Sequence, residues 1–172
     1  WVSVRHGLVV SARRHPLRSG DRLRASVKRG EVFDSGIGLL DHLLRDQADE
    51  LQNIVRKAGE RVDDIEDDML ARHAGRHGTE LSQLRRLAVR LNRLMSPEPG
   101  ALQRVVANPP YWVQPPEAQR LREAGDDFGV ALRDVASLQD RIKLLQDEAS
   151  SRVAEENNRS LFLLTMVTVL AL

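Results

Sequence analysis

The sequence predicts an α+β fold that is mainly α: the end of a sheet domain, then long antiparallel helices, then a very long stalk helix that enters a membrane. Three observations predict it. Val2 and Val4 alternate with Ser3 and Arg5 as in a half-buried strand, an apolar stripe with steps of three or four residues runs from 37 to 69, and residues 117–172 contain no proline. Aromatic residues make up only 3% of the chain, so Leu, Val, Ile and Ala must form the core, as in helix bundles.

The amino-terminal region, 1–34, is predicted to be the carboxyl-terminal part of an α/β sheet domain. We expect strands at Trp1–Arg5 and Leu8–Arg13, joined by a tight turn at His6-Gly7. A lone hairpin is only marginally stable, so these strands are predicted to be the last members of a larger sheet. A short helix is expected from Asp21 to Lys28.

The second region, 35–110, predicts a long helix followed by a helical hairpin. Either Asp34 or Ser35 is expected to cap the long helix, and Gly75 and Gly78 are expected to end it. Its predicted buried stripe consists of Ile37, Leu40, Leu44, Ala48, Leu51, Val55, Ala58, Val62, Ile65 and Met69.

Two shorter helices are predicted to follow. Thr79 is the expected cap of the first, Ser96-Pro97 its end, and its expected stripe is Leu84, Leu87, Leu91 and Leu94. A helical piece from Gly100 to Ala107 comes next. A rigid, extended connector is predicted next, bracketed by Asn108-Pro109-Pro110 on one side and Pro115-Pro116 on the other.

Residues 117–172 predict one helix of about 84 Å, at 1.5 Å per residue. We divide it into a stalk, 115–159, and a membrane segment, 160–172. One face predicts a buried stripe, formed by Ala131, Val135, Leu138, Ile142, Leu145 and Ala149. The other face changes from acidic to polar to apolar, through Asp140, Leu144, Asp147, Ser151, Ala154, Asn158, Leu161, Thr165, Thr168 and Leu172. So long a helix needs partners, and identical chains are the simplest ones.

The polar face has two interpretations. If several copies placed it around an axis, Asp140 and Asp147 would form carboxylate rings that concentrate cations, above a tunnel dotted with hydroxyl groups. Alternatively, the face is an ordinary coiled-coil surface whose Asp side chains point into water. The membrane segment favours the first interpretation, because a polar face turned toward the axis would then continue as a path into the membrane.

Ser160–Leu172 predicts the start of a truncated transmembrane helix. These thirteen residues contain no charge, Gly or Pro, whereas a full span needs about 20 apolar residues. Arg152 and Arg159 precede the segment, as expected on the cytoplasmic side of a membrane.

Other functional classes find little support. The net charge is +1 and no element is markedly basic, which argues against nucleic-acid binding. There is no cysteine, so thiolate chemistry and Cys-based zinc sites are excluded. His73 and His77 have zinc-ligand spacing but no obvious third ligand, and the acidic run 63–68 is more typical of a solvated helix face. Nothing resembles a nucleophile elbow, a phosphate loop or a paired-carboxylate site, so we expect no enzyme and no resident cofactor.

Several segments resemble the CorA family of metal ion transporters, and within it the ZntB-like branch. Glu156–Thr165 resembles the end of the family's stalk helix, and Met166–Leu172 resembles its first membrane helix. Further similar segments, in chain order, are Leu8–Arg13 with His15-Pro16-Leu17 (the last sheet strand), Asp63–Leu70 (the acidic end of the long helix) and Leu132–Val135 (the stalk).

The resemblance implies a funnel-shaped homopentamer in the inner membrane of a bacterium, with this part mostly cytoplasmic. It implies a transporter of divalent cations, zinc preferred, with magnesium as the alternative. The pore-lining residues it implies are Asn158, Leu161, Thr165, Thr168 and Leu172. By this resemblance, Leu161 takes the place of a hydrophobic gate residue, which is often Met in the magnesium-transporting members of the family. A membrane-anchored coiled-coil scaffold that conducts no ions is the alternative from another class.

Overall fold

The computed structural model describes residues 2–12, 18–71 and 77–171. A hairpin of β1 (Val2–Arg5) and β2 (Leu8–Ser11) is followed by α1 (Arg18–Lys28), α2 (Gly36–Leu70), α3 (Gly78–Met95), α4 (Pro97–Ala107) and α5 (Pro115–Leu170). The predicted fold class, α+β and mainly α, is confirmed. α1 begins three residues before the predicted Asp21 and α4 three before the predicted Gly100, whereas the end of α3 before Ser96 was predicted correctly.

The hairpin is antiparallel, with Val4 opposite Val9, and Gly7 occupies its turn at φ 72°, a backbone conformation that suits glycine. The pair Val4 and Val9 lies against the first turn of α2. A Cβ atom on Gly36 would come within 3.2 Å of a methyl group of each valine. Glycine at this position therefore lets the hairpin pack directly on the start of the long helix.

Helices α2, α3 and α4 pack on α5, and one continuous core runs between them. Fifteen of the buried residues lie on α2 and α5 at the positions that the sequence predicts, among them Val62 and Ile65 on α2 and Val135 and Ile142 on α5, which are at most 1% exposed. In the predicted α2 stripe, Leu40 alone is only partly buried. α2 runs in the same direction as α5, since Ser35 contacts Glu117 at one end and Met69 contacts Arg152 at the other.

The prediction for α3 needs correction. His77, not Thr79, is the N-cap, and Gly78 is the first helical residue rather than the end of α2. α2 itself ends at Leu70, and Gly75 lies outside the described residues. The buried positions of α3 are Leu81 and Ala88, with Leu84, Leu91 and Met95 partly buried. Leu87 and Leu94 are 38% and 56% exposed, so the helix is rotated relative to the predicted stripe.

The second pair of prolines, Pro115 and Pro116, forms the first turn of α5, the helix that was predicted to begin at residue 115. Proline suits this position: its fixed φ is helical, and the N–H that it lacks would have no partner in a first turn. From there α5 continues for 56 residues, about 84 Å. Gly125 and Gly129 do not interrupt it, and Gly125 lies against Leu102 of α4.

Glu117 joins the amino-terminal ends of the two longest helices. Ser35, the N-cap of α2, accepts a hydrogen bond from the N–H of Gly38 (3.0 Å) and donates its hydroxyl hydrogen to Glu117 Oε1. Glu117 Oε2 accepts from the backbone N–H of Gln114 (2.9 Å). Glu117 is 9% exposed, and the Ser35 hydroxyl is the main cause that lowers the pKa of its carboxyl group. The ionised form is therefore the one that the fold stabilises.

Glu117→Gln is expected to lower the melting temperature at pH 7, and the gap from the parent protein should narrow at pH 3. The folded pKa of Glu117 lies below the ordinary 4.5. Its stabilisation is therefore complete above pH 4.5 and disappears as the pH falls through the folded value. Thermal unfolding at the two pH values checks this, with the exposed Glu31→Gln as control. A gap of equal size at both values would contradict the role given to the ionised carboxylate.

Candidate functional site: the unpartnered face of the long helix

The two faces of α5 differ completely in their surroundings. The predicted buried stripe is confirmed along its whole length: Ala131, Val135, Leu138, Ile142, Leu145 and Ala149 are each 0–9% exposed. They pack against the shorter helices. At 3.6 residues per turn, Asp140 and Asp147 lie about half a turn away from this stripe. The bundle therefore leaves the acidic face of α5 free.

Asp140 and Asp147 are both exposed, and neither forms an ion pair with any residue in the ranges 2–12, 18–71 and 77–171. They are seven residues apart, so they stand two turns, or about 10.5 Å, from each other on the same face. Leu144 lies between them and is 67% exposed. Within one chain the carboxylates are thus too far apart to share a metal ion. Any shared cation would need carboxylates from more than one chain.

Beyond Arg152, α5 extends away from the bundle, and every residue from Val153 to Ala171 is exposed. Asn158 and Leu161 lie on this part, on the same side of the helix as the two Asp residues. The hydroxyl groups of Thr165 and Thr168 donate to the carbonyl oxygens of Leu161 and Leu164, both at 2.8 Å. Each hydroxyl oxygen still has lone pairs to offer a passing ligand. Leu172 lies outside the described residues.

The carboxyl-terminal turns of α5 are apolar except at Thr165 and Thr168. The exposed fractions of the apolar side chains run from 48% for Met166 to 81% for Leu170, and an apolar surface of this kind marks a site of contact with protein or lipid. Among the described residues, no helix contains a stretch that is both long enough and apolar enough to cross a membrane.

Two arginines of α5 hold the stalk against α2. Arg141 forms ion pairs with Asp63 and Glu66, and these carboxylates raise its pKa further above the ordinary value. Arg152 donates to the backbone oxygen of Met69 at 2.7 Å and pairs with Glu148. A cation at the carboxyl-terminal end of α2 favours both its free carbonyl groups and its helix dipole. In the sequence Arg152 indicates only the membrane boundary, and nothing near it in the chain indicates this contact with α2.

The structure describes one of the two histidines that have zinc-ligand spacing, His77. His73 lies outside the described residues. His77 Nε2 is 2.7 Å from Asp68 Oδ2 and Nδ1 is 3.6 Å from Glu80 Oε2, so its ring is already placed between two carboxylates. In the part of the chain that the structure describes, no three His, Asp or Glu side chains converge as a metal site would require.

The family model described as "CorA-like Mg2+ transporter protein" matches residues 2–172, almost the entire chain. The chain belongs to the CorA family. The predicted resemblance to this family is therefore confirmed.

Curated CorA-family relatives confirm the ZntB-like branch. The chain is 26% identical to the zinc transport protein ZntB of Pectobacterium carotovorum over 172 residues, covering 99% of this chain and 52% of that protein. It is 24% identical to ZntB of Yersinia enterocolitica, covering 96% and 50%. The chain thus spans about half the length of the curated relatives it matches.

A solved structure confirms the fold independently. The structure of the full-length CmaX protein superposes with a TM-score of 0.89 at 22% sequence identity. The superposition covers 97% of this chain and 51% of CmaX. At this level of identity the likeness concerns the fold alone.

Proposed function

We propose that this chain is the cytoplasmic funnel of a divalent-cation transporter subunit, with zinc as the preferred ion. In this proposal five copies form a ring in a bacterial inner membrane, and residues 160–172 begin the first membrane helix. The observation that carries it is the free face of α5, which changes along the helix from exposed carboxylates to hydroxyl groups within an apolar end.

The acidic part of that face suits the entrance or exit of a cation path. Rings built from Asp140 and Asp147 would raise the local concentration of divalent cations, because carboxylate oxygens carry full negative charge. Their exposure supports this role, since both groups remain hydrated within one chain. A hydrated cation would thus pass between bulk water and the carboxylate rings at a small cost in free energy.

The terminal part of the face suits a narrow pore. Asn158 offers an amide oxygen, Leu161 an apolar constriction, and Thr165 and Thr168 hydroxyl oxygens. Leu172 would continue this line, although it lies outside the described residues. Leu161 is 61% exposed in one chain, so it is free to meet its counterparts on the axis and act as a hydrophobic gate.

Zinc and magnesium are both candidate ions. The curated relatives are named zinc transport proteins, which supports zinc. The family model is named for Mg²⁺, which supports magnesium as the second candidate. Carboxylate and amide oxygens suit magnesium, whereas zinc usually takes nitrogen or sulfur ligands as well. Flux of each ion, measured singly and in competition, separates the two.

Asp140→Asn with Asp147→Asn is expected to slow zinc entry into liposomes containing the full-length protein several-fold at low ionic strength. The loss should shrink at high salt, because the rings act by screened electrostatic attraction. A zinc-sensitive dye inside the liposomes reports the flux. Asp34→Asn with Asp49→Asn, two exposed carboxylates elsewhere, is the matched control.

The outcomes separate the proposed functions. If the parent protein admits neither zinc nor magnesium, the chain is a membrane-anchored scaffold instead of a transporter. If the parent protein conducts but the two Asn substitutions leave the flux unchanged at every salt concentration, Asp140 and Asp147 do not line the path.

A further inference from the structure

The outward side of α3 is basic and has no partner within the chain. Arg85, Arg86, Arg90 and Arg93 are all exposed, and none of them forms an ion pair with any residue that the structure describes. The sole acidic residue of α3 is Glu80, which is already paired with Arg61. We call these four arginines the α3 basic face. Four exposed, unpaired positive charges on one side of a single helix make this surface a candidate for binding an acidic partner.

The carboxyl-terminal half of α2 carries the opposite charge. Residues 60–68 contain six carboxylates and a single arginine, Arg61. Glu60, Asp63 and Asp67 point away from the core on one side of the helix, and we call them the α2 acidic face. Glu60 pairs with Arg56, and Asp63 with Arg141, but both side chains remain more than half exposed. A carboxylate offers about four acceptor positions, so each can take a second partner.

The two faces lie on opposite flanks of α5. Arg141 and Arg152 contact α2 on one flank. Gln146 contacts Ser82 of α3 on the other, at 3.3 Å. Glu80 points from α3 toward α2, which leaves the basic face turned away from it. The α2 acidic face and the α3 basic face of one chain therefore cannot reach each other.

They nevertheless lie at the same level along α5. Ser82 is level with Gln146, and α3 runs antiparallel to α5, so Arg86 stands four residues, about 6 Å, below that level. Arg141 lies five residues, about 7.5 Å, below Gln146, and it contacts Asp63 and Glu66. Arg86 and Asp63 are thus level to within a few ångströms.

We propose that the α3 basic face of each copy binds the α2 acidic face of the next copy. Rotation about an axis parallel to α5 moves a side chain sideways but keeps its level, so matched levels are what a cyclic ring requires. The contact is heterologous, head to tail, and closes when the rotation closes. It would also turn the free face of α5 toward the axis. The inference rests on the ring in the proposed function and adds the surfaces that hold it together.

A charge-swap experiment on the full-length protein tests the proposal, with oligomer mass measured by light scattering in mild detergent. Arg86→Glu with Arg90→Glu places like charges in the contact. It is expected to raise the protein concentration at which half of the chains are assembled at least tenfold. Glu60→Arg with Asp67→Arg is expected to do the same, so the test does not depend on one variant folding. Arg24→Glu with Arg104→Glu makes an equal charge change on α1 and α4, and it should leave the mass unchanged.

A fourfold variant combines Arg86→Glu, Arg90→Glu, Glu60→Arg and Asp67→Arg. It again has opposite charges across the contact, so it should form the ring again. Assembly of both double variants at the parent concentration would overturn the proposal, and so would a fourfold variant no better than either double. A monomeric parent protein that still carries zinc into liposomes would overturn the interface and leave the transport proposal standing. Ring formation and charge-swap rescue without any ion flux would support the interface and refute the transporter.

Discussion

Replacing Leu164 and Val167 by lysine is expected to abolish the binding of this chain to lipid vesicles. The parent chain exposes an apolar helix end in which these two side chains are 65% and 64% exposed. Lysine near the centre of a membrane helix costs about 3 kcal/mol. Two such residues should therefore lower partition into the bilayer by on the order of a thousandfold or more.

Flotation with liposomes on a density gradient measures this partition. The parent chain should float with the lipid and the lysine variant should stay at the bottom. The matched control is Ser150→Lys with Val153→Lys, which adds the same charge to exposed positions of α5 before the apolar end. Equal flotation of the parent and the Leu164→Lys/Val167→Lys variant would contradict a membrane role for residues 160–172.

A second large effect is expected in the core: Phe128→Ala should reduce the free energy of unfolding by about 3–5 kcal/mol. Phe128 is completely buried on α5 and is among the largest side chains in the core. Its loss would leave a cavity that the surrounding helices fill only in part. Against a total stability of about 5–15 kcal/mol for a typical domain, this is a severe loss.

Chemical denaturation of the parent protein and of Phe128→Ala gives the change in the free energy of unfolding, and circular dichroism checks that the helices persist. The corresponding fall in melting temperature is roughly 6–20 °C for a protein of this size. Val130→Ala is the control, since Val130 lies two residues away on the same helix and is 42% exposed. It should change stability by less than about 0.5 kcal/mol. A similar cost for both variants would show that Phe128 is not part of the tightly packed core.

The two longest helices and their buried sides could be predicted because both helices carry unusually regular repeats of apolar residues. The α2 and α5 stripes are three- and four-residue repeats sustained over many turns, and a helix presents such residues on one side whatever it packs against. α3 lacks that redundancy. Its leucines at 84, 87, 91 and 94 fit a stripe as well as the true one does, and the small Ala88, which is 1% exposed, gives a weak signal.

Contacts between distant segments were beyond the reach of sequence patterns. Ser35 and Glu117 are 82 residues apart, and nothing in either local sequence indicates that one binds the other. Arg141 likewise looks like any exposed arginine until α2 brings Asp63 and Glu66 beside it. The candidate ion-path residues were easier, since they share one helix and their common face follows from the 3.6-residue period alone.

The most direct test of the ion path introduces cysteines one at a time into the full-length protein, and residues 1–172 contain no cysteine that would also react. Cysteine is introduced at Asn158, Leu161 or Thr165 on the free face, and at Ser160 or Leu163 on the opposite face. Zinc flux into liposomes is then recorded before and after a bulky, water-soluble thiol reagent. Modification of a cysteine at position 158, 161 or 165 is expected to block the zinc flux. Modification of a cysteine at position 160 or 163 is expected to leave the flux unchanged. Block at both sets of positions, or at neither, would contradict an ion path along this face of α5.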